Sequence, residues 1–156
     1  VSRIKDVPSL TNEVMESLDI KRMFIETGAH YVETITGKGN ANVTIQSAWI
    51  NNQIEDEYNP VHYHHDCKLS AVLYLKIPDN NIDGHIDFMY GTADINELYP
   101  GNFCYKPTVG DMLVFPSTLS HTVYPFKGEG LRRTIAFNLN YTFNWELQGI
   151  KIYSFQ

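Results

Sequence analysis

The first part of the chain has a helical pattern of apolar residues. Between Ser9 and Leu18 the apolar side chains recur at four-residue spacing, which places them on one face of an α-helix. Thr11 stands at the start of this segment and is the predicted N-cap. A second, short helix is predicted over Lys21–Thr27, with Gly28 ending it. The predicted helical part therefore covers about residues 8–28.

From about residue 42 to residue 142 the pattern changes to short strands separated by turn residues. The predicted turns are Gly37–Asn40, Asn59–Pro60, Pro78–Gly84, Gly91, Pro100–Asn102, Gly110–Asp111, Pro116 and Gly128–Gly130. Short strands spaced in this way, with no helix between them, predict a mainly β sandwich or barrel. A length of 156 residues predicts a single domain over residues 1–156.

Two of the predicted strands, Leu69–Ile77 and Leu131–Tyr141, alternate between apolar and polar positions. Their odd positions are apolar except for Arg133. Their even positions are Ser70, Val72, Tyr74, Lys76, Arg132, Thr134, Ala136, Asn138 and Asn140. Successive side chains of a strand point to opposite faces, so each strand has one apolar and one hydrogen-bonding face. Since the second face is rich in Ser, Thr, Tyr and Asn rather than Lys and Glu, it suits a polar cavity.

Composition excludes several classes of protein. Charged residues are 19% and aromatic residues 13% of the chain, the opposite of the balance typical of disorder. The net charge of −6 argues against general nucleic-acid binding, and no apolar run approaches the length of a membrane span. The two cysteines, Cys67 and Cys104, form no C-x-x-C pair, which disfavours a structural zinc site. They predict a reducing, cytoplasmic compartment.

The histidines are unevenly distributed. Three of the six lie within four residues, at His62, His64 and His65. On an extended segment, residues two apart point the same way, so either His62 with His64 or His64 with Asp66 could hold one metal ion. His121 is the candidate for a further ligand. No role is predicted for His30, His65 and His85, of which His30 and His85 have no partner of this kind.

Four blocks of sequence, taken in order, resemble the 2-oxoglutarate/Fe(II)-dependent oxygenases. They are His62-x-His64, the strand Leu69–Leu75, the segment Val114–Ser117 followed by His121, and the run Arg132–Asn138. The chain is most similar to the short members associated with phages and marine bacteria, which would place it in a host cytoplasm. The resemblance covers about residues 45–141. It implies a double-stranded β-helix, a cupin-like jelly-roll barrel with one or two N-terminal helices packed on an outer face.

The resemblance also implies an Fe(II) site. His62 and His121 match the two metal-binding histidines, whereas His64 stands where much of the superfamily has a carboxylate. The implied ligands are therefore His62, His64 and His121, with His64, Asp66 and His121 as the alternative set. A cupin would carry Glu three or four residues after its second histidine, and residues 65–69 contain none.

A 2-oxoglutarate site is implied on the polar faces of the two alternating strands. Arg132 matches the residue that binds the distal carboxylate, Thr134 its hydroxyl partner, and Tyr74 a tyrosine that contacts the same group. Ser70 and Asn138 complete the predicted cofactor-binding set. A guanidinium matches a carboxylate in a two-pronged contact. The neighbouring arginine lies on the opposite face of its strand, which favours Arg132.

The function implied is that of a non-haem dioxygenase using Fe(II), 2-oxoglutarate and O2. It would couple decarboxylation of 2-oxoglutarate to oxidation, expected to be hydroxylation, of a peptide or ring-bearing substrate. Loops over Asn51–Tyr63 and Asp87–Tyr105 are predicted to hold that substrate. The alternative is a non-catalytic metal-binding jelly-roll module in a viral or surface assembly. No nucleic acid or membrane is expected as a partner, and whether the chain forms a homodimer is left open.

Overall fold

A computed structural model describes residues 2–78, 82–90 and 101–143. The helices are α1, Asn12–Ser17, and α2, Ile20–Thr36. The strands are β1 Ser2–Arg3, β2 Ala41–Gln53, β3 Glu57–His62, β4 Leu69–Lys76, β5 Ile82–Asp83, β6 Ile86–Met89, β7 Asn102–Tyr105, β8 Met112–Pro116, β9 Ser120–Val123, β10 Phe126–Lys127 and β11 Arg132–Phe143. The predicted mainly β class is confirmed. Neither described helix has the length and apolarity that a membrane crossing requires.

Two large sheets form the body of the fold. One has four antiparallel strands in the order β2-β11-β4-β8, and the other has five in the order β1-β3-β9-β6-β7. In the second sheet the short β1 runs parallel to β3, while the other pairs are antiparallel. Strands β10 and β5 form a small separate pair. Side chains from both large sheets line one cavity, so the predicted jelly-roll arrangement is confirmed.

The helical region begins as predicted but ends later. The hydroxyl of Thr11 accepts a hydrogen bond from the backbone N–H of Val14 at 3.3 Å, which confirms the N-cap. Helix α2 does not stop at Gly28. It continues to Thr36, and Gly37, with φ of 66°, ends it.

Gly28 is used for close packing instead of helix termination. A Cβ atom built on it would lie 2.6 Å from Leu139 Cδ1 and 3.2 Å from Val43 Cγ1. Such distances mean that only a residue without a side chain lets α2 approach the sheet this closely. The prediction that Gly28 ends the helix is therefore wrong, because the role of this glycine depends on a strand more than one hundred residues away.

Helix α2 covers the outer face of the four-stranded sheet. Phe24 of the helix and Phe137 of β11 stack with ring centroids 3.7 Å apart, and both are fully buried. Burying a phenylalanine side chain contributes about 1.5–3 kcal/mol. The buried members of this core are Met15, Phe24, Val32, Val43, Ala48, Leu69, Ala71, Ile135, Phe137 and Leu139. The expected packing of N-terminal helices on an outer face is confirmed.

The central part of β11 is buried on both faces. Ile135, Phe137 and Leu139 belong to the core beneath the helices. The intervening Arg132, Thr134 and Asn138 are also buried, and they line the cavity together with Ser70 and Tyr74 of β4. The prediction that the polar faces of these two strands line a cavity is confirmed.

The turn predicted at Asn59–Pro60 is wrong, since both residues lie inside β3. Proline lacks an N–H and is tolerated where a ladder is interrupted. The pairing of β3 with β9 is irregular between Asn59 and His62, and β1 pairs only with Glu57 and Tyr58. Pro60 therefore sits where few backbone hydrogen bonds are required of it.

The two predicted substrate loops contain more strand than expected. The segment Asn51–Tyr63 comprises the end of β2, a short connection and all of β3. The segment Asp87–Tyr105 includes most of β6 and all of β7. The predicted turn at Gly91, and residues 79–81 and 91–100 as a whole, lie outside the described residues.

Candidate active site

Three histidines meet on the inner side of the five-stranded sheet. His62 ends β3, His64 lies two residues further, and His121 is in β9, directly opposite His62. Nitrogen atoms of all three lie within 4.8 Å of one another. The ring centroid of His62 is 4.2 Å from that of His121 and 5.2 Å from that of His64. The fold thus brings together one of the two predicted ligand sets.

Backbone carbonyl groups orient two of these rings. Nδ1 of His62 is 2.6 Å from the carbonyl oxygen of Pro60, and Nδ1 of His121 is 2.9 Å from that of Leu119. A carbonyl can only accept, so Nδ1 carries the proton in each ring and Nε2 keeps its lone pair. The backbone N–H of His64 donates to the carbonyl of Ser117 at 2.9 Å. These bonds leave the rings prepared to bind a metal through Nε2.

Burial favours the neutral form of His64 and His121. Burial lowers the pKa of His64 to about 4, and the neighbouring His62 and His65 lower it further. Burial likewise lowers the pKa of His121 to about 4, against the opposing effect of its bond to Leu119. At neutral pH both rings are therefore uncharged, which is the form that binds a metal.

Asp66, the alternative ligand, does not join this cluster. Its side chain is exposed, its backbone has a positive φ of 60°, and its carbonyl oxygen accepts a hydrogen bond from Asn140 Nδ2 at 3.2 Å. The chain bends at His65 and Asp66, so the alternation assumed for an extended segment does not reach Asp66.

The predicted carboxylate-binding arginine lies in the same cavity. Arg132 is 2% exposed, its Nη1 donates to Gln53 Oε1 at 2.8 Å, and its guanidinium carbon lies 5.2 Å from the centre of the Tyr74 ring. Within the described residues no carboxylate pairs with it. Arg132 Nε and the Tyr74 hydroxyl are buried without a hydrogen-bond partner in that part of the chain.

An unpaired buried cation is energetically unfavourable, because burial removes water without supplying a counter-charge. Accordingly, burial lowers the pKa of Arg132, and the nearby Tyr74 opposes this. Burial also raises the pKa of Tyr74, so its hydroxyl keeps its proton and can donate. A carboxylate bound here would accept from both groups. Arg133 points away from the cavity and donates to Asn52 at 2.7 Å.

The remaining predicted cofactor-binding residues line the same space. Ser70 donates to Asn138 Oδ1 at 2.9 Å, and Asn51 Nδ2 donates to Thr134 Oγ1 at 3.4 Å. The cavity that they share with the three histidines has a volume of about 580 Å³ including its open mouth.

Gln53 was missed by the sequence reasoning. It is 2% exposed, and its side-chain amide accepts from Arg132 while donating to the carbonyl of Glu57 at 2.6 Å. Gln53 and Arg132 are directly opposite in the pairing of β2 with β11. Alternation along β2 would have placed Gln53 on the same face as Asn51, but only the cross-strand register shows which residue it holds.

Two further histidines stay outside the cavity. His65 is exposed and packs near Tyr63, and His30 is exposed on α2. The expectation that His85 has no partner is wrong, because it lies beside Asp87 and Cys104. The pairing of β6 with β7 places Cys104 opposite Asp87, a proximity that residue spacing does not reveal.

The residues present suit Fe(II) and 2-oxoglutarate. Neutral imidazoles are good ligands for iron. A buried guanidinium that has no carboxylate partner among the described residues, next to a hydroxyl without a hydrogen-bond partner there, is suited to a carboxylate. The histidine cluster and the guanidinium of Arg132 line one cavity. This is what a dicarboxylate that contacts both the metal and Arg132 requires.

Comparison with solved structures shows the same fold in oxygenases. A 2OG-Fe(II) oxygenase-family oxidoreductase from Burkholderia pseudomallei matches with a TM-score of 0.65 and 16% identity over 90% of this chain. HygX from Streptomyces hygroscopicus, with nickel and 2-oxoglutarate bound, gives 0.61 and 14% over 88%. The viral collagen prolyl hydroxylase of Paramecium Bursaria Chlorella virus-1 gives 0.56 and 18% over 88%.

The chain spans 65% of the Burkholderia protein, 70% of HygX and 79% of the viral hydroxylase. No curated protein sequence matches it. Residues 47–138 match the family model described as "Putative 2OG-Fe(II) oxygenase", and this stretch contains all three clustered histidines and Arg132. The chain therefore belongs to the 2OG-Fe(II) oxygenase family, whose cofactors are Fe(II) and 2-oxoglutarate, with O2 as the usual co-substrate.

Proposed function

We propose that this chain couples decarboxylation of 2-oxoglutarate to hydroxylation of a second substrate, with His62, His64 and His121 holding Fe(II). The observation that carries the proposal is Arg132, which is buried, has no carboxylate partner within the described residues and lines the same cavity as the three clustered histidines. A metal-binding module without a dicarboxylate ligand has no use for such a cation.

Two of the histidine rings are already oriented for metal binding before iron binds. The carbonyls of Pro60 and Leu119 hold the rings of His62 and His121, so little side-chain freedom is lost on binding. With neutral His64 in place of a carboxylate, the ligand set leaves more positive charge on the metal. Bound iron supplies the redox chemistry that converts 2-oxoglutarate and O2 to succinate and CO2 and oxidises the substrate.

Arg132 and Tyr74 hold the far end of the co-substrate. The guanidinium offers paired N–H donors to the distal carboxylate, and the Tyr74 hydroxyl adds a further donor. Gln53 fixes one side of the guanidinium by accepting from Nη1, which leaves Nε and the remaining N–H groups for the ligand. Thr134 lies on the same wall, two residues along β11.

Apolar side chains limit the access of water to this wall. Ala71, Val72, Ile86, Phe115 and Val123 line the cavity between the arginine and histidine ends. A low-water environment strengthens the contact between carboxylate and guanidinium. It also reduces unproductive reactions at the metal.

The decisive experiment measures succinate. Wild-type protein with Fe(II), ascorbate and 2-oxoglutarate should release succinate, and Arg132→Gln should lower this activity at least about 100-fold at sub-saturating 2-oxoglutarate, because a charged hydrogen-bonded partner is lost. Arg133→Gln, on the opposite face, is the matched control and should retain activity. Equal activity in Arg132→Gln contradicts the proposal. Binding of 2-oxoglutarate without succinate release from the wild type would favour a non-catalytic module instead.

The ligand set is tested separately by iron binding. His62→Ala should lose Fe(II) affinity by at least about tenfold, as expected when one of three ligands is removed. Asp66→Ala should bind as the wild type does, since Asp66 is exposed and outside the cluster. Retained binding in His62→Ala with loss in Asp66→Ala would assign the ligands to His64, Asp66 and His121.

A peptide side chain is the substrate class that we propose to test first. Phe103 is 52% exposed and packs near Phe88, whose ring centroid lies 6.0 Å from that of His121. An exposed aromatic ring leading toward the histidines suits a peptide. The viral neighbour, which shares the fold, is a collagen prolyl hydroxylase.

The substrate class is tested by stimulation of succinate release. Proline-containing peptides should stimulate it in the wild type and less in Phe103→Ala, whose basal release in the absence of peptide reports on the metal and co-substrate sites. Hygromycin B, which HygX binds, is the comparison substrate. Stimulation by hygromycin B but by no peptide would overturn the peptide assignment while leaving the oxygenase assignment in place.

A further inference from the structure

A second group of metal-ligating side chains lies on the outer face of the five-stranded sheet. Atoms of His85, Asp87 and Cys104 that can bind a metal lie within 4.8 Å of one another. Asp87 of β6 is directly opposite Cys104 of β7, and His85 precedes Asp87 by two residues. Ile86 and Phe88 alternate with them and are buried in the core between the sheets, so the group points away from the proposed iron site.

One carboxylate oxygen of Asp87 lacks a hydrogen-bond partner within the described residues. The residue is 7% exposed, and within the described residues its Oδ1 is buried without a hydrogen-bond partner. Its Oδ2 accepts a long bond from Asn102 at 3.5 Å. Thr122, opposite Asp87 in β9, donates its hydroxyl to the carbonyl of Asn59 instead. His85 Nε2 lies 3.7 Å from Oδ1 of Asp87, which is beyond hydrogen-bond distance. A buried carboxylate oxygen without a hydrogen bond is unfavourable, and a cation bound between Asp87 and His85 would satisfy it.

We propose that His85, Asp87 and Cys104 form a second metal site for a thiophilic divalent cation, with Zn(II) as the best match. Zinc accepts imidazole nitrogen, carboxylate oxygen and thiolate sulfur, and a water molecule completes four ligands. When the metal–sulfur bond forms, the thiol proton of Cys104 passes to solvent.

The distances suit this metal. Two ligands at about 2.1 Å from a tetrahedral zinc are about 3.4 Å apart, and His85 Nε2 lies 3.7 Å from Asp87 Oδ1. Cys104 is exposed, and its Sγ lies within 4.8 Å of the ligand atoms of His85 and Asp87. Stacking on Tyr124, with ring centroids 4.4 Å apart, holds the imidazole of His85 in place.

A metal bound at this site would stabilise the pairing of β6 with β7. Strand β7 is the edge of the five-stranded sheet, and it carries Phe103 toward the cavity. A metal between Asp87 and Cys104 would join these two strands through side chains as well as backbone hydrogen bonds. The proposal is independent of the oxygenase chemistry, because its ligands lie on the other face of the sheet.

Cobalt titration of the full chain distinguishes the two metal sites. Co(II) bound to a thiolate gives a near-ultraviolet charge-transfer band, which a site made only of histidines lacks. The wild type should develop this band with a stoichiometry of one thiolate-bound Co(II) per chain. Addition of Zn(II) should abolish the band. His62→Ala should keep the band, since only the other site is altered. Cys104→Ser should lose it, and Asp87→Asn should weaken Co(II) binding at this site at least about tenfold.

Cys67→Ser is the matched control, because Cys67 is the other free cysteine of the chain and should leave the band unchanged. Zn(II) should also raise the Tm of the wild type more than that of Cys104→Ser. Absence of the band in the wild type, its persistence in Cys104→Ser, or its loss in Cys67→Ser would each overturn the proposal.

Discussion

The two large sheets share one cavity but hold it in different ways. The four-stranded sheet has β2 and β11, which are 13 and 12 residues long, and α2 packs on its outer face. The strands of the five-stranded sheet have between two and six residues. The proposed carboxylate-binding residues lie on the first sheet. Of the clustered histidines, His62 and His121 lie in the second sheet, and His64 follows β3 by two residues.

The buried apolar cores differ accordingly. Ten buried residues form the core between the helices and the four-stranded sheet, whereas three, Ile86, Phe88 and Phe115, form the buried cluster between the sheets. Arg132 therefore lies on a strand whose opposite face packs in the larger core. The histidine rings depend on individual bonds to backbone carbonyls. Most of the buried apolar core therefore supports the wall that carries Arg132, whereas the proposed metal ligands lie on the other wall.

The largest expected effect comes from removing a ring under α2. Phe137→Ala should lower the free energy of unfolding by about 3–5 kcal/mol, because it leaves a cavity in a fully buried stack. Phe103→Ala, on the five-stranded sheet, should lower it by under about 1 kcal/mol, since that ring is half exposed. Urea denaturation of both variants measures the difference. Equal losses would contradict the concentration of stability in the four-stranded sheet.

A second, smaller effect is a loss of stability of the metal-free chain in mild acid. The pKa of His121 is about 4 in the folded chain, against its ordinary value of 6.5. The unfolded chain therefore binds the proton first, and the stabilisation is complete above about pH 6.5 and lost as pH falls toward about 4. His121 alone should account for about 2 kcal/mol between about pH 7 and about pH 5.

Urea denaturation in the presence of a chelator measures this pH dependence. His121→Asn, which has no titrating ring, should show a shallower decline over the same interval. Identical declines in the wild type and the variant would mean that the histidines of the five-stranded sheet do not govern the acid response.

The smallest expected change in stability is that of Tyr74→Phe, a variant that tests ligand binding separately from folding in the four-stranded sheet. Tyr74→Phe removes a buried hydroxyl that has no partner in the described residues, so the free protein should be equally stable or up to about 1 kcal/mol more stable. Its Kd for 2-oxoglutarate should rise about five- to tenfold, because a donor to the carboxylate is lost. Calorimetric titration and urea denaturation measure the two quantities. A loss of stability with unchanged affinity would assign Tyr74 to the fold instead of the ligand.

Local alternation accounts for what could be predicted. The faces of β4 and β11 follow from a two-residue period that each strand carries in its own sequence. The same parity separates Arg132 from Arg133. The Thr11 cap also needs only its own neighbours.

Features that depend on distant partners could not be predicted. Gly28 looks like a helix end until Leu139 is packed against it, and Pro60 looks like a turn until the irregular pairing of β3 is known. Gln53 and the group around Asp87 arise from cross-strand register. Register is fixed by the whole sheet, so spacing along the chain does not give it.

Strand β11 has a consequence for how the co-substrate leaves. Residues 133–139 of β11 pair with β2 on one side and with β4 on the other, and Thr134, Ile135, Phe137, Asn138 and Leu139 are buried. Amide groups in such a strand exchange with solvent only when the whole domain opens, so the strand is a fixed wall on the timescale of a reaction cycle. We therefore expect any movement that widens the cavity mouth to come from the shorter strands of the five-stranded sheet.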